Sequence, residues 1–326
     1  MAPPPASIAQ MTEQFTAAPL SALPQAARLG VWQTTVANEA ALSGIGLHSG
    51  RQVNIRVLPA AANTGIVFLR TDIENQSEAV IPALCASVCE VTLSSKIGNR
   101  FGHVVGTVEH LMAAFAGLRI DNAIVEIDAA EVPIMDGSAK PFVELIKRAE
   151  TRELGVSRRV VRVTKPVRVE NGDAYCELLP DNERVFEAEI DFDCGAIGRQ
   201  SYALTLDKGD FDTDVVNART FCMAQQVEAM HKAGLALGGS MDNAIVVDGD
   251  EVLNEEGLRS ADEFVQHKLL DAIGDLYLMG MPLIGRYRGY KSGHALHNQL
   301  LNALFADENC FELVDLASDD AVLAAE

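Results

Sequence analysis

The chain has few features of secreted, membrane-spanning or nucleic-acid-binding proteins. Its six cysteines are scattered without a Cys-x-x-Cys pair, which argues against a zinc ribbon or disulfide framework and favours reduced thiols in the cytoplasm. No run of about 18 apolar residues is present, so we expect no transmembrane span and at most peripheral membrane contact. The chain has only 26 lysines and arginines but 46 aspartates and glutamates. The resulting net charge of −20 disfavours binding to nucleic acid.

The two ends of the chain differ in composition from its middle. Residues 1–30 are rich in alanine and proline, and their first basic side chain is Arg28, so they do not form a secretory signal. We expect residues 1–30 to be a disordered tail and the acidic segment 307–326 to be a loose C-terminal tail. The overall composition, 48% hydrophobic, is that of a folded protein with one or two domains.

Between the tails, the pattern predicts two α+β halves at residues 31–155 and 156–306. Alternating strand patterns such as 53–57 and 185–190 accompany helix-like segments in both halves. Segment 214–258 breaks this rhythm with Gly238-Gly239 and a short apolar strand, which predicts an insertion reaching over a cleft. The alternative is a solvent-exposed subdomain that stabilises the fold. We therefore expect two related two-layer halves, with helices packed on mainly antiparallel sheets and the active site between them.

The segment from Ser260 to Leu276 predicts a helix whose ionisable and apolar residues lie on opposite sides. At about 100° per residue, one stripe contains Phe264, His267, Lys268, Asp271 and Asp275. Ser260 and Glu263 fit a capping box at its start. His267 and Asp271, four residues apart, can bind one divalent metal from a single helical face. The alternative is a solvated face with one ion pair.

Residues 106–117 predict a second, shorter helix, with Thr107 as its N-cap. Val-x-His occurs in both helices, and Gly117 matches Gly274 at the same offset, which hints at two related halves. His110 would then join His267 and Asp271, giving the three protein ligands of a catalytic zinc with a fourth position open to water. The neighbouring Glu109 can act as a general base. The His-Glu-x-x-His arrangement of common zinc proteases is absent.

Basic residues are concentrated between Asp275 and Asp307, a stretch without acidic side chains. They are Arg286, Arg288, Lys291, His294 and His297. A cationic patch on an acidic protein suits a small anionic ligand, such as a phosphorylated one. The alternative is that these side chains offset nearby carboxylates.

Five motifs occur in order along the chain: Thr107-Val-Glu-His-Leu, Pro133-Ile-Met-Asp-Gly-Ser, Arg219-Thr-Phe, His267-Lys-Leu-Leu-Asp and Lys291-Ser-Gly-His-Ala-Leu. Together they resemble the UDP-3-O-acyl-N-acetylglucosamine deacetylase family of lipid A biosynthesis, over residues 43–304. The resemblance implies a zinc-dependent hydrolase that removes the acetyl group from the 2-amino group of a UDP-linked, 3-O-acylated glucosamine.

The resemblance also assigns the metal and the base. His110, His267 and Asp271 would hold the metal, and Glu109 would deprotonate the metal-bound water. Two imidazoles and one carboxylate can also hold Fe(II), which leaves zinc and iron as alternatives.

Further catalytic roles follow from the same motifs. Thr220 and Lys268 would help to stabilise the tetrahedral oxyanion. His294, protonated, would give its proton to the departing amine, and Asp275 would orient His294 and keep it cationic.

The resemblance places substrate contacts at five positions. Phe221 would pack on the sugar or the acyl chain, Ala244 and Val246 would form the wall of an apolar acyl passage, and Leu47 would border it. Lys291 would contact the diphosphate, in agreement with the cationic patch.

Other polar residues receive structural interpretations. His48, His103, His231 and His297 have no partner at ligand spacing and are not expected to bind metal, and Asp136 is expected to shape a turn. Two rival functions stay open, namely a metal-dependent deacetylase of another acylated amino sugar and a non-catalytic, metal-stabilised nucleotide-sugar binding module. In either case we expect a cytoplasmic monomer.

Overall fold

The computed structural model describes residues 16–17, 30–208 and 210–316. Apart from residues 16, 17 and 30, the predicted N-terminal tail lies outside the described residues, as do residues 317–326. The described chain is a mixture of helices and sheets in which antiparallel pairing predominates, so the predicted α+β class is confirmed.

The first part of the chain builds a five-stranded sheet, two smaller sheets and two helices. Its elements are β1 (Thr16–Ala17), β2 (Trp32–Val36), β3 (Ala40–Ile45), β4 (Gln52–Pro59), β5 (Ile66–Arg70), β6 (Val80–Pro82), β7 (Val88–Glu90), β8 (Lys96–Gly98), β9 (Val104–Val105), α1 (Glu109–Gly117), β10 (Ala123–Ile127), α2 (Lys140–Ala149) and β11 (Thr151–Ser157). The main sheet has the order β3-β4-β10-β5-β6. On β4, Val53, Ile55 and Val57 are buried while the residues between them are exposed, so only one face of this sheet is packed.

The second part builds a larger sheet and the remaining helices. Its elements are β12 (Arg159–Val163), β13 (Val167–Asn171), β14 (Ala174–Leu179), β15 (Arg184–Asp191), β16 (Arg199–Thr205), α3 (Asp210–Thr213), β17 (Phe221–Met223), α4 (Ala224–Lys232), β18 (Ile245–Asp248), β19 (Glu251–Val252), α5 (Glu263–Tyr277), β20 (Leu283–Tyr290), α6 (His294–Ala306) and β21 (Phe311–Asp315). Strand β20 pairs with β12, β14 and β15 and therefore joins the larger sheet together. None of the helices in the described residues is both long and apolar enough to cross a membrane.

Helices α1 and α5 pack against each other, and α5 also packs on α6 and on strands β15 and β16. The close approach depends on Gly274, because a Cβ atom there would lie 1.9 Å from the carbonyl oxygen of Glu109. Every residue of α5 except Lys268 is buried, so the alternative of a solvated helix face is wrong. The ionisable stripe faces the interior of the molecule.

Both predicted helix starts need correction. Helix α5 begins at Glu263 without a side-chain cap, because Ser260 donates to Gln266 and the Glu263 carboxylate binds Arg219 instead. Helix α1 begins at Glu109, after Val108. Thr107 has a left-handed backbone (φ 53°) and its hydroxyl donates to Glu131, so it does not cap the helix.

Three predictions about segments of the chain can also be compared with the structure. Residues 307–316 are not a loose tail, since strand β21 pairs antiparallel with β12. The predicted boundary at 155 falls inside β11, which pairs with β2. In the predicted insertion, β17, β18 and β19 form a small sheet to which α4 is attached. The division into two halves stays a prediction.

Candidate metal centre and active site

Helices α1 and α5 bring His110, His267 and Asp271 together, and we call these three residues the metal triad. The Nε2 atom of His267 lies 3.4 Å from Oδ1 of Asp271, and Nε2 of His110 lies 3.5 Å from the same oxygen. All three side chains are buried. Tetrahedral zinc with bonds of about 2.0–2.1 Å separates its ligand atoms by roughly 3.3 Å. Both imidazole nitrogens thus lie at ligand spacing from the carboxylate, and all three donor atoms lie within 4.8 Å of one another, a grouping that can hold one divalent metal.

The charge states of His267 and Asp271 also suit a metal. His267 donates from Nδ1 to the carbonyl of Ala218 at 3.0 Å, which leaves the Nε2 lone pair directed at the centre. Burial lowers the pKa of His267 to about 3, so this imidazole is neutral. Burial alone would raise the pKa of Asp271, but the Lys268 ammonium beside it holds that pKa well below its usual value. A neutral imidazole and a carboxylate are the forms that bind a metal.

Glu109 lies beside the metal triad as a buried carboxyl group. Its Oε2 accepts a hydrogen bond of 3.1 Å from the backbone N–H of Ser95, and its Oε1 lies 4.0 Å from Nε2 of His294. Burial raises the pKa of Glu109 to about 7, despite the opposing charge of His294. A carboxyl group that titrates near neutral pH is suited to accept a proton from water and release it later.

His294, at the start of α6, is held by Asp275 on α5. Its Nδ1 donates to Oδ2 of Asp275 at 2.7 Å. Burial lowers the pKa of His294, but the Asp275 carboxylate and Glu109 outweigh it and raise the pKa to about 9. His294 is thus a cation at neutral pH, about 4 Å from a carboxyl group that is partly ionised.

The segment from Ala218 to Phe221 forms one wall of the site. The buried Arg219 is tied to Glu263 through its backbone N–H and its guanidinium. The ring of Phe221 lies 6.3 Å from that of His267 and 5.7 Å from Nζ of Lys268. The Lys268 ammonium also pairs with Oδ2 of Asp271 at 2.8 Å. Phe221, the first residue of the small sheet, therefore lies beside His267 and Lys268.

An apolar cavity of about 480 Å³ begins at this wall. It is lined by the small sheet, by α4 and by the loops that carry Leu47, Leu93 and Ala236. Its lining includes Leu47, Thr220, Phe221, Ala244 and Val246. Four of the five predicted substrate contacts thus line one cavity next to the metal triad.

Lys291, the fifth, is not brought to this cavity. Arg286, Arg288 and Lys291 all form ion pairs on the larger sheet. Their partners are Asp173, Glu177, Asp181, Glu187 and Asp191. The structure therefore favours the alternative in which these cations offset nearby carboxylates.

Two polar residues of the site were not predicted to contact its catalytic groups: Ser95 was not named, and His297 was named only in the cationic patch and as a histidine outside the metal site. Ser95 donates from its backbone to Glu109 and from its hydroxyl to Asp275. His297, which we did not expect to bind metal, donates from Nδ1 to Asp275 at 2.7 Å. His297 lies three residues after His294 on the same helical face, a spacing that could have indicated it. Ser95 lies in a loop without any periodic signal.

Comparison with known proteins agrees with this site. A family model described as UDP-3-O-acyl N-acetylglycosamine deacetylase (LpxC) matches residues 33–306. The chain is 50% identical over 288 residues to the UDP-3-O-acyl-N-acetylglucosamine deacetylase of Acidithiobacillus ferrooxidans, covering 87% of this chain and 93% of that protein. It is 48% identical over 282 residues to the protein of that name from Vibrio parahaemolyticus, covering 86% and 92%. It is 45% identical over 289 residues to the one from Phenylobacterium zucineum, covering 89% and 98%. As the five motifs predicted, the chain belongs to the UDP-3-O-acyl N-acetylglycosamine deacetylase family.

Proposed function

We propose that this chain hydrolyses the N-acetyl group of UDP-3-O-acyl-N-acetylglucosamine, releasing acetate and UDP-3-O-acyl-glucosamine in an early committed step of lipid A biosynthesis. The observation that carries the proposal is the spacing of the three donor atoms of the metal triad, next to Glu109 and His294. The names of the relatives support the substrate, and the apolar cavity beside the site supports an acyl group on it.

The metal triad would hold zinc, with Fe(II) as the alternative. Two imidazoles and one carboxylate are a ligand set that catalytic zinc sites use. A metal bound there lowers the pKa of a water molecule and polarises the acetamide carbonyl. The Ala218 carbonyl keeps His267 in the tautomer that can bind.

Glu109 would act as the general base. Its carboxylate removes a proton from the attacking water, which then adds to the acetamide carbon. The backbone N–H of Ser95 holds Oε2 of Glu109, so the free Oε1 faces the reacting atoms and His294. Because burial raises the pKa of Glu109, its carboxylate is a stronger base than an exposed one.

Lys268, Thr220 and His294 would act on the charges that develop. The ammonium of Lys268 and the hydroxyl of Thr220 stabilise the oxyanion as the carbonyl becomes tetrahedral. His294 then gives its proton to the amine nitrogen as the C–N bond breaks, since an amide anion is a very poor leaving group. Asp275 holds His294 in its protonated form.

The acyl chain would occupy the apolar cavity. Leu47, Phe221, Ala244 and Val246 supply apolar walls for it, and Phe221 also lies beside His267 of the metal triad. Lys291 is proposed to contact the diphosphate. Because its ammonium already pairs with Asp173 and Asp191, a diphosphate would have to replace these partners. We also propose that the protein acts in the cytoplasm as a monomer, where its free thiols stay reduced.

The deciding experiment measures metal content together with acetate release by the purified full chain. We expect about one zinc or iron per chain, turnover of UDP-3-O-acyl-N-acetylglucosamine, loss of turnover with a chelator and recovery on adding the metal back. A metal-loaded chain that releases no acetate would refute the function. Equal kcat/KM on UDP-N-acetylglucosamine, which lacks the acyl chain, would point to another amino-sugar substrate.

A further inference from the structure

Asp275 is the centre of a buried hydrogen-bond network that extends beyond His294. Its Oδ1 accepts a hydrogen bond of 2.5 Å from the Ser95 hydroxyl. Its Oδ2 accepts two hydrogen bonds of 2.7 Å, one from Nδ1 of His294 and one from Nδ1 of His297. The carboxylate thus has three donors, which compensates for the loss of water around a buried anion.

His297 is held on both sides of its ring. Its side chain is buried, and its Nε2 lies 2.9 Å from the hydroxyl of Tyr287, which lies 2.8 Å from the Ser292 hydroxyl. Burial raises the pKa of Tyr287 well above its usual value, so this hydroxyl keeps its proton and can donate it to Nε2. With Nε2 accepting from Tyr287, the ring proton lies on Nδ1 and is directed at Asp275.

Both imidazoles bind the same oxygen, and this links their positions. Because both hydrogen bonds end on Oδ2, a rotation of the Asp275 carboxylate changes both of them. We propose that His297 is a positioning residue for the proton-donating step: it holds the Asp275 carboxylate in the orientation that directs His294 at Glu109 and the metal triad. The inference rests on the proposed role of His294 in the hydrolysis.

The ionisable groups around His294 come from three elements. Glu109 on α1 lies 4.0 Å from its Nε2, Asp271 and Asp275 on α5 add negative charge, and His297 lies one turn along α6. Without His297, Ser95 still holds Oδ1 of Asp275, but Oδ2 is free to turn away from His294. The His294 cation then loses part of its stabilisation, and its pKa falls.

The test compares His297→Leu with His297→Asn in the metal-loaded full chain. Leucine removes the donor and keeps apolar volume, whereas the side-chain amide of asparagine can donate to Asp275 from nearly the position of Nδ1. We expect His297→Leu to lower kcat roughly 10–100-fold, the usual cost of losing a supporting hydrogen bond, with little change in KM. Its alkaline limb of kcat/KM should move to lower pH, and His297→Asn should restore both. Leu300→Ala, a buried change on the same helix at a side chain with no hydrogen-bond donor, controls for loss of packing.

Two NMR readouts make the proposal independent of turnover. A pH titration of the His294 ring should give a lower pKa in His297→Leu than in the wild type and in His297→Asn. In the wild type, the ring nitrogens of His297 should show the proton on Nδ1, as donation to Asp275 requires. A His294 titration that stays in place or moves upward in a folded His297→Leu, or a wild-type His297 protonated only on Nε2, overturns the proposal. Failure of the wild type to release acetate would instead refute the proposed function.

Discussion

Gly274→Ala tests whether the spacing of α1 and α5 sets the metal site. A Cβ at position 274 would lie 1.9 Å from the Glu109 carbonyl oxygen and 3.1 Å from the backbone nitrogen of Ala113. These are backbone atoms of α1, so no side-chain rotation relieves the overlap. Because Cβ contacts under 3.0 Å are essentially never seen, the helices must separate by about 1 Å.

The expected size of the effect follows from this displacement. Metal–ligand distances tolerate changes of about 0.2 Å, so a shift of about 1 Å removes His110 from reach of a metal held by His267 and Asp271. Even outer partners of metal ligands are worth about 10–100-fold in affinity, and a misplacement of about 1 Å costs about 10²-fold in rate. We therefore expect Gly274→Ala to lose at least about 100-fold in metal affinity and in kcat/KM.

Metal titration by calorimetry, deacetylase kinetics and thermal unfolding together check this prediction. Alanine is favoured over glycine in helices by about 1 kcal/mol, but overpacking costs about 1–3 kcal/mol, so the melting temperature should fall. The matched control is Gly117→Ala, where the new Cβ meets the ring of Phe211 rather than backbone. That variant should lose stability and retain metal affinity when folded. A Gly274→Ala protein with wild-type metal affinity and kcat/KM would refute the reasoning.

Three further predictions concern the reacting groups and the cavity. Glu109→Gln should lower kcat by about 10²–10⁴-fold while metal analysis still finds the ion, and a variant with wild-type kcat would exclude the base role. The kcat/KM profile should be bell-shaped: activity falls below the pKa of Glu109, about 7, as its carboxylate is protonated, and above that of His294, about 9, as its proton is lost. A bound divalent cation lowers both pKa values, so each limb should lie at or below these pH values. The alkaline limb should disappear in His294→Ala; its persistence would assign the acid to another group. Val246→Trp should fill the apolar cavity and raise KM for long-chain substrates more than for short-chain ones, and equal KM changes for both would contradict an acyl site there.

The helical spacing of charged residues is where sequence reasoning succeeded. His267 and Asp271 are one turn apart, so their proximity follows from helix geometry alone. The angular stripe also grouped Lys268 and Asp275 with them, and the structure places all four on the face toward α1 and α6. The prediction that His110 lies beside His267 and Asp271 depended on a short repeat and on the family resemblance.

Tertiary contacts explain what was missed. The local sequence around Glu263 matches a capping box, but in the structure its carboxylate pairs with the buried Arg219. This pairing is favoured because a buried guanidinium without a partner would be costly. Ser95 belongs to a loop whose position depends on packing between α1 and α5. The basic residues of β20 lie opposite acidic residues of β14 and β15, and this register cannot be read from β20 alone.

The metal triad draws its ligands from two helices that belong to distant parts of the chain. A bound ion would therefore link these two helices and stabilise the fold, in addition to taking part in the reaction. By mass action, a ligand present at a thousandfold excess over its dissociation constant adds about 4 kcal/mol to the free energy of unfolding. Metal starvation of a cell would thus lower the amount of the enzyme, because the less stable metal-free chain is degraded by proteases. It would also abolish the activity of each remaining molecule.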